Sequence, residues 1–144
     1  MYTELKAKIV ALLRADETLT GLLASDEAIY YRKPPQARAL PCLTYFLEDE
    51  PDREFHGYGR FRAHLTISIW SASGDTNDAI LAALDGVLFD AHRAGGLDTA
   101  HWQVSACRRV ESKVADGGRA DAAGLEIERR DTRWELQLRV TSDE

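Results

Sequence analysis

Arg60-Phe-Arg-Ala-His-Leu-Thr-Ile-Ser-Ile-Trp70 decides the architecture. Phe61, Ala63, Leu65, Ile67 and Ile69 alternate with Arg62, His64, Thr66 and Ser68, the period of an extended chain whose successive side chains point to opposite faces. Such a strand belongs in an antiparallel sheet with one covered face and one polar face. Trp70 ends the polar row with an aromatic, so that end of the wet face calls for a cover.

The spacing changes on the C-terminal side. Ser73-Gly-Asp-Thr76 is a turn that supplies a helix cap, and Ile80, Leu81, Leu84, Val87, Leu88 and Ala91 form the stripe of a helix running to about Arg93. Gly95-Gly96 stops it. Trp102, Val104 and Ala106 begin another strand that reaches about Val114. Residues 115–124, small and glycine-rich, read as a hairpin tip carrying Gly117, Gly118 and Arg119. Leu125–Val140 returns as a strand, with Trp134, Leu136, Leu138 and Val140 opposing Arg133, Glu135, Gln137 and Arg139.

On the N-terminal side, Leu5, Ile9, Leu12 and Leu13 make one apolar face of a helix from about Tyr2 to Ala15. Asp16 can cap a second short turn over Thr18–Ala24. Ala28–Arg32 begins a strand. Pro34, Pro35 and Pro41 favour extended backbone and an ordered surface connection. In Cys42–Glu48, Leu43, Tyr45 and Leu47 alternate with Thr44, Phe46 and Glu48; apolar bulk on both faces places this strand inside the sheet. Glu48-Asp-Glu-Pro-Asp-Arg-Glu54 follows as an acidic turn, and Phe55 and Tyr58 can fold back onto the body. The predicted architecture is α+β, in the order α-(α)-β-β-β-α-β-β: about five mostly antiparallel strands with two long helices packed on one face. Residues 1–144 are expected to form a single domain, long enough to bury roughly two-thirds of the unfolded surface.

Composition narrows the functional classes. A net charge of −6 argues against phosphate binding over the whole surface, leaving local basic patches open. No apolar run approaches the ~20 residues of a membrane span, and the first helix is too charged for a signal-peptide core, so a cytoplasmic origin is expected. Cys42 and Cys107 form no Cys-x-x-Cys pair and lie in apolar strands, as free buried thiols would, with a disulfide as the lesser alternative.

The residues with catalytic or metal-binding chemistry fall into no recognisable site pattern. His56, His64, His92 and His101 have no metal-ligand spacing. The carboxylates Glu48, Asp49, Glu50 and Asp52 lack the alternation and turn glycine of a calcium loop, and a solvated turn accounts for them. Asp85, Asp90 and His92 read as a charged outer helix face. Gly117-Gly118 lacks the Lys-Ser/Thr ending of a phosphate loop. No cofactor is expected, and an enzyme would need a site that no residue pattern marks.

The wording of the elements adds a resemblance. Ile9-Val-Ala-Leu-Leu-Arg-Ala-Asp-Glu-Thr-Leu-Thr-Gly-Leu-Leu23, Ile29-Tyr-Tyr31 with its Pro-Pro-Gln-Ala turn, Leu40-Pro-Cys-Leu-Thr-Tyr-Phe46, and Ala63-His-Leu-Thr-Ile-Ser-Ile-Trp70 with Ser73-Gly74 resemble the phage tail-completion or tail-terminator family. The likeness spans nearly the whole chain as a pattern of apolar positions and turn residues. It implies a structural tail assembly protein of phages and prophages, made in the bacterial host cytoplasm and resident in the virion tail. Members form rings, typically hexameric, at the head-proximal end of the tail tube. The implied partners are copies of itself, the tail-tube protein and head-completion or connector proteins, with passive passage of DNA and no membrane. The acidic turn and the glycine-rich tip depart from the family pattern.

Ring closure requires two different patches that meet on neighbouring copies. The polar rows Arg62, His64, Thr66 and Glu135, Gln137, Arg139 are candidates for an exposed or lumen-side face. The two loops, with Glu48, Asp49, Glu50, Asp52 and Gly117, Gly118, Arg119, are candidates for contact with neighbouring rings. The other reading is a small non-catalytic ligand-binding or regulatory α+β domain, monomeric or dimeric.

Overall fold

A computed structural model describes residues 3–33, 39–49, 60–119 and 126–140. Its elements run α1 (Thr3–Ala15), α2 (Glu17–Thr20), β1 (Ile29–Tyr31), β2 (Cys42–Asp49), β3 (Arg60–Ser71), α3 (Gly74–Arg93), β4 (Trp102–Arg119) and β5 (Glu126–Val140). The strands form one sheet in the order β1-β2-β3-β5-β4, antiparallel except for the β1–β2 pair. This is the expected α+β arrangement, with β2 inside the sheet.

Leu5, Ile9 and Leu13 of α1, Leu19 of α2, and Ile80, Leu84 and Leu88 of α3 are buried with Leu43, Leu65, Ile67, Ile69, Leu136 and Leu138 of the strands. The helices therefore cover one sheet face, as the matching apolar periods predict. Asp16 caps α2, its Oδ2 accepting from the Leu19 amide at 2.9 Å, and Ser73 caps α3. The second helix is shorter than the expected Thr18–Ala24, ending at Thr20 with Gly21 at its C-cap. Gly95, at φ 74°, adopts the left-handed conformation that ends α3.

Two sequence boundaries need correction. β4 continues to Arg119 rather than stopping near Val114, because pairing with β5 persists through Asp116↔Glu128 and Arg119↔Glu126. A register shift between those pairs absorbs Gly117 and Gly118, a use of glycine common at bulges. These residues lie in a strand, and the tip itself falls outside the described residues. The apolar alternation Trp102, Val104, Ala106 that begins β4 also breaks. An irregularity after Val104 pairs Ala106 with Gln137 and Cys107 with Leu136, so Cys107 takes the covered face. A one-residue offset exchanges the two faces of a strand.

Residues 34–38, with Pro34 and Pro35, and residues 50–59, with Glu50, Asp52, Phe55 and Tyr58, lie outside the described residues. No helix is long and apolar enough to cross a membrane, and no group of three or more metal-ligating side chains occurs among the described residues.

Candidate interaction surfaces

The face turned away from the helices is built from the polar halves of four strands. Register sets Glu48 beside His64, His64 beside Glu135 and Glu135 beside Arg108, so one row crosses β2, β3, β5 and β4. The next rows place Thr66 beside Arg133 and Glu111, and Ser68 beside Asp131 and Lys113. Charges of opposite sign therefore alternate across the strands, the favourable pattern for a solvated sheet face.

The side chains use this placement. Glu135 is shared by Arg62 and Arg108, each with Nε 3.3 Å from a carboxylate oxygen. Arg133 Nη2 lies 3.1 Å from His64 Nδ1. Ser68 Oγ donates to Asp131 at 2.7 Å, and Arg129 pairs with the same carboxylate at 3.1 Å. The Arg129 guanidinium stacks 5.2 Å from the Trp70 ring centre, while the indole N–H donates to Thr44 Oγ1 at 3.0 Å. This is the cover that Trp70 called for, and it comes from the sheet's own side chains.

Arg62, His64, Thr66, Glu135, Gln137 and Arg139 thus share one face, though with unequal exposure. Arg139 is exposed, Arg62, Thr66, Glu135 and Gln137 are half-buried, and His64 is buried at 7% exposure. His64, read from alternation as a solvent or interface histidine, is enclosed within the chain by longer neighbours, Arg133 among them. Glu48 is exposed near the end of β2, and Asp49 ends that strand.

Arg108, Arg129 and Asp131 complete the network without having been singled out from the sequence, as does Arg133, which the sequence placed only in the polar row. Their strand alternation was visible; the register that pairs them was not. Asp85, read as part of a charged helix face, instead holds Arg109 through two contacts of 3.0 and 3.3 Å, and Asp78 binds Arg130 at 2.7 Å. Both pairs clamp α3 onto the β4–β5 hairpin.

Cys42 and Cys107 are both free thiols. Cys42 is fully buried, whereas Cys107 is half-buried in the wall of an open cavity of ≈ 470 Å³ beside Phe89, Arg109 and Trp134. Burial pushes the Cys107 thiol up from 9.0 to about 12. At pH 8 such a thiol is ionised in about one molecule in 10⁴, against about one in ten for the ordinary group. In a Cys42→Ala background, alkylation of the folded protein at pH 8 is expected to run roughly 1,000-fold slower than in urea, the ratio of the two thiolate populations. Equal rates would contradict the burial. Since the native state keeps the proton that the unfolded state releases, this group makes stability fall as pH rises from 9.0 towards about 12.

The built surfaces are thus a broad ion-paired sheet face and the sheet edges beside it, features of a module that works by docking. A sequence profile described as "Tail completion protein gp17" matches residues 7–119. The chain belongs to the tail completion protein gp17 family, and is a non-catalytic structural component of a virion tail. No curated protein matches it in sequence. Among solved structures, a chain of the "Virion of native gene transfer agent (GTA) particle" shares the fold with a TM-score of 0.67, at 22% identity over 93% of each chain.

Proposed function

We propose that the protein is a ring-forming tail terminator. It sits at the head-proximal end of the tail tube, stops polymerisation of the tube protein and offers a surface to head-completion proteins. It acts by binding alone, as a ring that we take to have six copies. The observation that carries this reading is the ion-paired sheet face: no described element of the chain covers it, while the opposite face is sealed by three helices. Such a face suits a lumen or a neighbouring subunit.

Among described side chains, cations outnumber carboxylates on this face, against the chain's net charge of −6. If DNA passes this face, net charge alone does not keep its adhesion weak. Pairing of Arg62, Arg108, Arg129 and Arg133 with neighbouring side chains weakens it, since it leaves less uncompensated charge for phosphate. The segments at residues 48–59 and 115–124 are proposed to meet neighbouring rings.

Particles assembled without the protein are expected to show tubes of broadened length and unattached heads by electron microscopy. Complementation with Arg62→Glu/Arg139→Glu is expected to recover at least about tenfold fewer joined particles than the wild type. Both charges lie on the face proposed to dock, where reversing them replaces attraction by repulsion. Normal tube length and joining in the protein's absence would remove the terminator reading. Full complementation by the double variant would remove the sheet face from it.

A further inference from the structure

The two edges of the sheet differ in a way that bears on how copies meet. β4 has 18 residues and pairs with β5 on one side; its outer edge has no strand partner among the described residues. At the opposite edge, β1 has 3 residues and pairs only with Leu43–Tyr45 of β2. The outer side of Phe46–Asp49 is therefore also without a strand neighbour among the described residues.

The charges on these edges are opposite. β4 presents Arg108 and Lys113, with side chains 73% and 64% exposed; Glu111 is the carboxylate between them, and Arg109 is turned to Asp85 of α3. β2 presents exposed Glu48, and the sequence continues with carboxylates at 49, 50, 52 and 54. β4 also carries apolar side chains at its free edge: Val110 is 44% and Val114 71% exposed.

We propose that these edges are the two halves of the contact between subunits: β4 of one copy lies against Phe46–Asp49 of the next. This inference rests on the ring reading above and names the surfaces that close the ring. Three antiparallel steps separate β2 from β4, so the two strands run in opposite directions within the sheet. Continuing the sheet from one copy to the next joins them antiparallel, the commoner pairing.

The alternative symmetric contacts are disfavoured by charge. A two-fold contact of β4 with itself brings the Arg108–Lys113 segments of both copies together, and one of β2 with itself brings Glu48 towards its own copy. Like charges across paired strands destabilise. Only the head-to-tail arrangement joins basic edge to acidic edge, and that arrangement generates a ring when the rotation between copies closes. The register irregularities and charges of β4 serve a second purpose, since bulges and charged side chains blunt a free edge against indiscriminate pairing.

The test is sedimentation velocity of the full chain at high concentration, supported by chemical cross-linking. Wild-type association is expected to weaken at least about tenfold between roughly 0.05 and 0.5 M NaCl, because exposed pairs are screened. Arg108→Glu/Lys113→Glu is expected to remain monomeric with an unchanged circular dichroism spectrum. Adding Glu48→Lys/Asp49→Lys to the same chain is expected to restore assembly, which a β4–β4 dimer would not allow. Undiminished assembly of the double variant would overturn the edge contact while leaving the ring reading intact. A folded four-site variant that stays monomeric would have the same meaning. A wild-type chain that never associates would overturn both.

Discussion

Leu84→Ala is expected to lower the unfolding free energy by about 2–5 kcal/mol, the range for deleting a large aliphatic side chain from a packed core. Leu84 is completely buried within α3, in the core cluster that also contains Leu65, Ile67 and Leu136. Truncation leaves a void that the fixed strands can fill only partly. For a domain of ordinary stability this removes a large share of a margin of about 5–15 kcal/mol. Urea denaturation should show the loss as a lower midpoint with an unchanged slope. Phe89, on the same helix, is 54% exposed, so Phe89→Ala is expected to cost less than about 1 kcal/mol. If the two variants lose equal stability, the packing of α3 described above is wrong.

Asn77→Leu is the second large effect, expected at about 1–3 kcal/mol despite similar side-chain volume. Asn77 is 2% exposed in the first part of α3. Its amide oxygen accepts from Ser71 Oγ at 2.7 Å, and its amide nitrogen donates to the Glu128 carbonyl at 3.2 Å. One side chain thereby joins the end of β3, the start of α3 and the beginning of β5. Leucine fills the space but leaves the Glu128 carbonyl without this donor. Hydrogen exchange should accelerate first at Ile127–Arg129 and in the opening turn of α3. A double-mutant cycle with Ser71→Ala is expected to show coupling of about 1 kcal/mol, as for residues in one hydrogen-bond network. Strict additivity would show that the bond contributes nothing.

Neither effect was equally visible beforehand. Leu84 belongs to an apolar stripe with helical spacing, and its burial follows from that stripe. Asn77 looked like an unremarkable residue near a helix start. Its partners lie 6 and 51 positions away, and the longer contact exists only because β5 returns beside β3. The same distinction separates Arg62 from His64. Alternation placed both on the polar face, yet only the register brought Arg133 against the imidazole and left His64 buried.

Glycine was misread for a related reason. Gly117-Gly118 signals a turn when sequence is read locally, because glycine tolerates tight backbone geometry. Here the strand pairing on both sides continues, and the register shift accommodates them within β4. The break after Val104 was equally silent, since a bulge changes which residues face inward without requiring a distinctive composition.

The sequence by itself determined the element types, their order and, for most positions, which side faces the core. Those properties follow from periods of two and 3.6 residues, which burial of one face imposes within a short window. It also carried enough wording to suggest the family. The tertiary structure decided which strands are neighbours, which charges pair and which edges have no strand partner among the described residues. Those outcomes depend on registers between segments tens of residues apart, where no local period operates. That is why the ion-paired face could be outlined from alternating residues, while the basic edge of β4 and the acidic edge of β2 emerged only from the strand order.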